Sequence, residues 1–194
     1  MRIFSKNWLS LLLFLPFIVG CVPMVAVGVG AGASTGALVS EDRRTSGIFI
    51  EDESIELKSA RRINQQLGNN VNINVTSFNR VVLLTGTAPD EAMKKEAEVL
   101  VMSVDNVRHI INEVKIAEKK SLASRSNDTL ITSKVKTRFI GVRGFQINHV
   151  KIVTENKIVY LMGMVRHAEA DSAAEIASST TGVEKVVRVF EYLD

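Results

Sequence analysis

The chain has 194 residues, enough for one medium domain or two small ones. Its composition (46% hydrophobic, 23% charged, 6% aromatic) excludes a chain disordered throughout, and the lone apolar stretch at the N-terminus excludes a multi-span membrane protein. The formal net charge of +3 falls to +1 once residues 1–20, which hold Arg2 and Lys6 and no acid, are set aside; that excludes nucleic-acid binding by global charge.

The N-terminus reads as an address. Arg2 and Lys6 form a positive start, and residues 9–19 (LSLLLFLPFIV) form an apolar run too short for the roughly 20 residues of a membrane span. Ile18-Val19-Gly20-Cys21 is similar to a bacterial lipobox, and Cys21 is the only cysteine in the chain. Residues 1–20 are therefore expected to be a lipoprotein signal peptide, with Cys21 the acylated residue. Three acyl chains of the palmitate kind anchor a protein stably, because each buried methylene contributes about 0.8 kcal/mol. A single cysteine also rules out an intramolecular disulfide or a cysteine metal cluster. Val22 stands where a retention aspartate would be, which by resemblance to Gram-negative lipoproteins implies the outer membrane. Residues 21–46 follow as a Gly/Ala-rich tether. Its Gly28-Val29-Gly30 lacks the flanking strand and helix of a phosphate loop.

Beyond the tether the chain repeats itself. Residues 73–86 (INVTSFNRVVLLTG) run parallel to 150–163 (VKIVTENKIVYLMG), and 107–114 (VRHIINEV) to 183–190 (VEKVVRVF). The period of about 76 residues is too long for a solenoid unit, so two copies mean two small domains. Each reads helix, hairpin, helix, strand. In the first copy, 47–117, Asp52 or Ser54 caps a helix carrying Ile55, Ser59, Ile63 and Leu67, and Gly68 ends it. Asn79-Arg80 turns between two β-branched strands. Gly86, like Gly163 in the second copy, closes the second strand at a turn expected to need φ above zero. Pro89-Asp90 opens a helix packing through Ala92, Ala97, Leu100 and Val101, and 107–116 alternates as a last strand. A polar linker, 118–125, leads to the second copy, 126–194, with a helix from Asp128 to about Ile140. Its Gly182 mirrors Asp105-Asn106.

This αββαβ repeat resembles the BON domain. The resemblance is carried by the helix–hairpin order, by Gly86 and Gly163, and by the strand starts Asn106-Val107 and Gly182-Val183. The order of motifs from the lipobox through Asp42-Arg43-Arg44, Asn127-Asp128-Thr129 and Leu161-Met162-Gly163 is similar to that of outer-membrane lipoproteins with two BON domains. The resemblance implies an α+β fold of two tandem BON domains, each with two helices on one face of a three-stranded mixed sheet.

Chemistry is harder to find. His109, His149 and His167 are scattered, with no metal-ligand spacing. The acids Asp90 and Glu91 suit a helix start better than acid–base work, and no nucleophile motif is present. The chain reads as a binding module with no cofactor. Residues 47–117 carry eight basic and ten acidic side chains, and 125–194 carry ten and eight. The excess base gathers on the second copy's first helix, at Lys134, Lys136 and Arg138, with Arg143 just beyond. On that helix Ile131, Val135 and Phe139 form one stripe; Leu130, Lys134 and Arg138 form its neighbour. An apolar residue beside cations suits an anionic lipid surface.

The resemblance implies the same helix as a phospholipid site, here Leu130, Lys134, Thr137, Arg138 and Ile140, for headgroups of the phosphatidylglycerol or cardiolipin type. Where the family often has tryptophan, this chain has Leu130. The resemblance further implies a periplasm-facing protein of the outer membrane that supports envelope integrity and gathers at division sites. The alternative is an adaptor for the outer-membrane protein assembly machinery or for control of septal amidases, its basic helix docking an acidic protein surface without lipid recognition.

Overall fold

The computed structural model describes residues 42–118, 122–140 and 147–194. The signal peptide, Cys21, the glycine-rich segment through Glu41, and Arg143 lie outside the described residues.

The first copy begins with α1 (Ser46–Gln66), whose N-cap is Thr45, its hydroxyl accepting from Ile48 N. The helix thus starts about two turns before the cap expected at Asp52 or Ser54. Asp52 is buried within it and serves the hairpin instead. Leu67 ends the helix and Gly68 follows at φ 56°, the left-handed position that glycine takes without strain. The strands β1 (Asn72–Phe78) and β2 (Val81–Ala88) pair antiparallel across Asn79-Arg80, both with positive φ, as a two-residue hairpin turn requires. Asp90 caps α2 (Glu91–Met102) by accepting from Met93 N at 2.8 Å. Ala97 and Val101 face the core, whereas Ala92 is exposed. The final strand comes in two pieces, β3 (His109–Asn112) and β4 (Lys115–Ile116), both parallel to β2. The break falls where the Asn112 side chain accepts from Val114 N.

The second copy repeats this plan with α3 (Leu122–Ile140), β5 (Val150–Glu155), β6 (Ile158–Val165), α4 (His167–Ser178) and β7 (Lys185–Tyr192). The helix α3 absorbs the end of the polar linker, which places Asp128 in its middle and not at its start. The hairpin turn Asn156-Lys157 again has positive φ at both residues, and Gly182 at φ 100° matches Asn106 at φ 68°. The order β5-β6-β7 has an antiparallel first pair and a parallel second.

The expectation for Gly86 and Gly163 needs correcting. Both lie inside the second strand, opposite Ile73 and Val150, and the strand runs on past them. What requires glycine is crowding from the neighbouring chain: an added Cβ would overlap the carbonyl oxygen of Asn72 or of His149. Only Gly86 also has a positive φ, at 110°.

The central strands are apolar on both faces because both faces are covered. In β2, Val82 and Leu84 meet α1 and α2 through Ile55, Ile63, Ala97 and Val101, while Leu83 points the other way. In β6, Val159 and Leu161 pack on Ile131, Val135, Phe139 and Ala173, while Tyr160 and Met162 point the other way. Those outward residues form a third core with Phe78, Ile111, Val187 and Val189, so the sheets of the two copies pack face to face. The Tyr160 hydroxyl donates to Glu113 across this junction at 3.4 Å; burial, with the Glu113 charge adding to it, pushes its pKa well up.

Candidate functional site

The helix α3 divides cleanly. Ile131, Val135 and Phe139 are buried against the sheet. On the opposite arc Leu130 is 60% exposed and Ile140 73% exposed. Lys134, Thr137 and Arg138 lie on the same arc, all exposed. The turn-to-turn spacing of an α-helix brings these side chains together, three and four residues apart. The Thr137 hydroxyl donates back to the Ser133 carbonyl at 2.9 Å, which leaves that stretch of the face low in polar bulk. Arg138 is fixed in place: its guanidinium donates to Thr180 Oγ1 at 2.9 Å and Ser179 Oγ at 3.0 Å, at the C-terminal end of α4, where a cation is favoured. Lys134 makes no ion pair among the described residues. The face therefore offers two exposed aliphatic side chains flanking Lys134, with no ion pair among the described residues, and the anchored Arg138.

The base of this helix is held from below. Asp128 is buried and accepts from Asn156 N and Lys157 N, each at 2.9 Å, so its carboxylate clasps the hairpin turn. The same device recurs in the first copy with Asp52, which accepts from Asn79 N at 2.8 Å and Arg80 N at 2.7 Å. Read from sequence as helix-start acids, both prove to be tertiary clamps. Their similar spacing to the two turn amides, 27 and 28 residues in the first copy and 28 and 29 in the second, was the signal available in the repeat.

The short strap 42–45, expected to be tether, joins the two copies. Arg44 donates to Asp52 at 2.8 Å and lies over the Phe78 ring at 4.0 Å. Arg43 makes a two-pronged bond to Glu169 of α4, both contacts 2.7 Å, and donates to the Met164 carbonyl. Arg43 holds the Glu169 carboxyl below the ordinary glutamate value, outweighing partial burial, and the backbone N–H of Arg166 adds to this.

The histidines stay apart. His109 is exposed on β3, His149 lies 3.9 Å from Glu169, and His167 bonds Asp194 and stacks on Tyr192. Among the described residues no three His, Cys, Asp or Glu side chains are disposed to hold a metal ion, and no helix is long and apolar enough to cross a membrane.

The repeat seen in the coordinates has a counterpart in a family model, the BON domain, which matches residues 52–118 and 127–194. The chain belongs to the BON domain family. It carries two BON domains in tandem, and it is similar over nearly its whole length to the outer membrane lipoprotein DolP of Haemophilus influenzae, 37% identical over 180 residues, 92% of this chain and 91% of that protein. The 21 kDa hemolysin of Actinobacillus pleuropneumoniae is 34% identical over 154 residues, 78% of this chain and 79% of that one. Osmotically-inducible protein Y of Escherichia coli is 27% identical over 157 residues, 79% and 78% respectively. BON domain 1 thus comprises α1 to β4, and BON domain 2 comprises α3 to β7.

Lys136, read with Lys134 and Arg138 as part of one basic cluster, is exposed on the other flank of α3, and sequence reasoning missed the exposed pair Phe49 and Ile50 on α1. Those two residues precede the expected helix start, so the helical pattern was not extended back to include them.

Proposed function

We propose that this protein is a non-catalytic lipoprotein of the outer membrane, anchored through Cys21 and facing the periplasm, whose BON domain 2 binds anionic phospholipid through α3. The observation that carries the reading is the pair Leu130 and Ile140, large aliphatic residues left exposed beside Lys134 and Arg138 on one helix face. Aliphatic side chains at a bilayer interface gain from burial, and each cation near an anionic surface adds about 1 kcal/mol, weakened by salt. Phosphatidylglycerol or cardiolipin headgroups fit this chemistry. The likeness to DolP, named as an outer membrane lipoprotein, supports the location. We further propose a role in envelope integrity, at division sites, on the strength of the family resemblance.

The test is sedimentation with vesicles. The Cys21→Ala protein should pellet with phosphatidylglycerol-containing vesicles and stay in solution with phosphatidylcholine alone. Lys134→Glu should abolish pelleting, Leu130→Glu should weaken it even at low salt, and Leu130→Trp should strengthen it. Binding unchanged by Lys134→Glu and Leu130→Glu would place any lipid contact elsewhere. For the anchor, Cys21→Ala should move the protein out of the membrane fraction or leave an uncleaved precursor.

A further inference from the structure

A groove of about 820 Å³ lies between the two BON domains, away from the exposed arc of α3. One wall is α1 with Phe49 and Ile50, 48% and 68% exposed, continued by Phe78. The other is the flank of α3 at Lys136. Between them runs β5, which contributes Val150, Lys151 and Ile152 in succession. Three consecutive residues of a strand can line a groove only if the groove follows the strand's edge.

That edge is open. Within its sheet β5 pairs with β6 alone. Its two-residue turn makes Glu155 and Ile158 a hydrogen-bonded pair, and the alternation of an antiparallel ladder then turns the N–H and C=O groups of Thr154, Ile152 and Val150 away from β6. BON domain 1 shows the same parity and a different solution. There the corresponding outward amide, Ser77 N, donates to the Glu56 carboxylate at 2.7 Å. In BON domain 2 the residue corresponding to Glu56 is Thr132, and it bonds the Thr154 hydroxyl, not a backbone group. The first copy thus caps this one outward amide with a side chain and the second does not, while the outward groups of Val150 and Ile152 lie along the groove.

The charges assign the occupant. Asp42 pairs with Arg44, and Lys151 is held by Glu56 at 2.6 Å. This leaves Glu53 on the α1 wall and Lys136 on the α3 wall, neither with an ion pair among the described residues. We infer that the groove along β5 takes an extended segment of a partner protein, added as a further strand, with apolar side chains toward Phe49, Ile50 and Phe78 and acidic ones toward Lys136. Strand addition supplies main-chain bonds, and side-chain alternation supplies the choice of partner. Glu53 on the apolar wall repels the reversed facing. The inference goes beyond the lipid reading and does not depend on it.

The probe is a fluorescent peptide of about eight residues, alternating valine and glutamate, titrated into the full chain held in phosphatidylcholine nanodiscs. It should bind about tenfold more tightly than a scrambled peptide of the same composition. N-methylation of every second residue should weaken binding about tenfold in one phase and leave it nearly unchanged in the other, because only one set of amides meets β5. Ile50→Asp and Lys136→Glu, both exposed, should each weaken binding about fivefold with unchanged thermal unfolding, while Lys134→Glu on the lipid-facing arc should not. Equal tolerance of both N-methylated peptides would overturn the inference. So would insensitivity to both groove variants, or a dimer in solution that Ile50→Asp dissociates, which would make a second copy the occupant.

Discussion

In both BON domains an aspartate in the middle of the first helix is buried and receives the two amides of the hairpin turn, but the two carboxylates sit in different company. Asp52 also accepts from the Ser77 hydroxyl at 2.7 Å and pairs with Arg44, whose side chain is only 7% exposed. Asp128 clasps its turn with the same two amide bonds, but Thr154, which stands where the first copy has Ser77, takes its hydroxyl bond from Thr132 of the same helix. The difference shows how a duplicated unit diverges: the clamp that makes the domain fold is kept, and the surroundings take on the work of joining the copies. BON domain 1 supplies the strap and the Glu56 cap on its first strand, and BON domain 2 supplies the basic helix and the groove-lining strand β5.

The sharpest way to break this comparison is to remove the clamps. Asp52→Ala leaves the two turn amides and the Ser77 hydroxyl without their acceptor and takes one of the two carboxylate partners of Arg44, Asp42 remaining, and should cost about 3–5 kcal/mol. Asp128→Ala loses charge-assisted bonds to two backbone amides and should cost at least about 2–3 kcal/mol. Urea unfolding of the two variants would measure both; a loss below about 1 kcal/mol in either would mean that its carboxylate does not clamp the turn.

The glycines separate the copies next. Gly86→Ala meets both the Asn72 carbonyl and an unfavourable φ, and should destabilise by about 3 kcal/mol. Gly163→Ala meets only the His149 carbonyl and should fall within about 1–3 kcal/mol, below Gly86→Ala. Thermal unfolding that reversed this order would show that neither the closer carbonyl nor the positive φ at Gly86 sets the cost.

The strap gives a pH-dependent test. The Glu169 carboxyl is held below its ordinary value of 4.5, so its bond to Arg43 stabilises the fold when ionised. That stability is fully present above the unfolded value and is lost as pH falls through the lower folded one. Glu169→Gln should cost about 1–3 kcal/mol at neutral pH, and the gap to the unmodified protein should close as the solution is acidified below pH 4.5. A gap independent of pH would mean that packing and not charge holds the strap. The smallest effect is expected at Lys134→Glu, within about 0.5 kcal/mol in unfolding experiments, although the same change should abolish vesicle binding.

Much of each domain was legible in local pattern. Ile131, Val135 and Phe139 recur at helical spacing and are buried; Asn79-Arg80 and Asn156-Lys157 interrupt β-branched runs and turn; Gly68 stops its helix. These features depend on side-chain periodicity and on the few residues that tolerate positive φ, and both are written in neighbouring positions. The repeat itself announced two domains, because each copy carries enough alternating and helical apolar positions for its own core.

What tertiary structure decided is where one element's polar groups find partners far along the chain. Asp52 looks like a helix cap until Asn79 and Arg80 arrive from a hairpin 27 and 28 residues away. Arg43 looks like tether until Glu169 meets it 126 residues on. Leu83 and Tyr160 look like ordinary strand residues until the two sheets pack together through them. Periodicity reports which face of an element is apolar, but not what covers it. A buried charge is stable only beside a specific opposite group, and only the folded chain brings that group within reach.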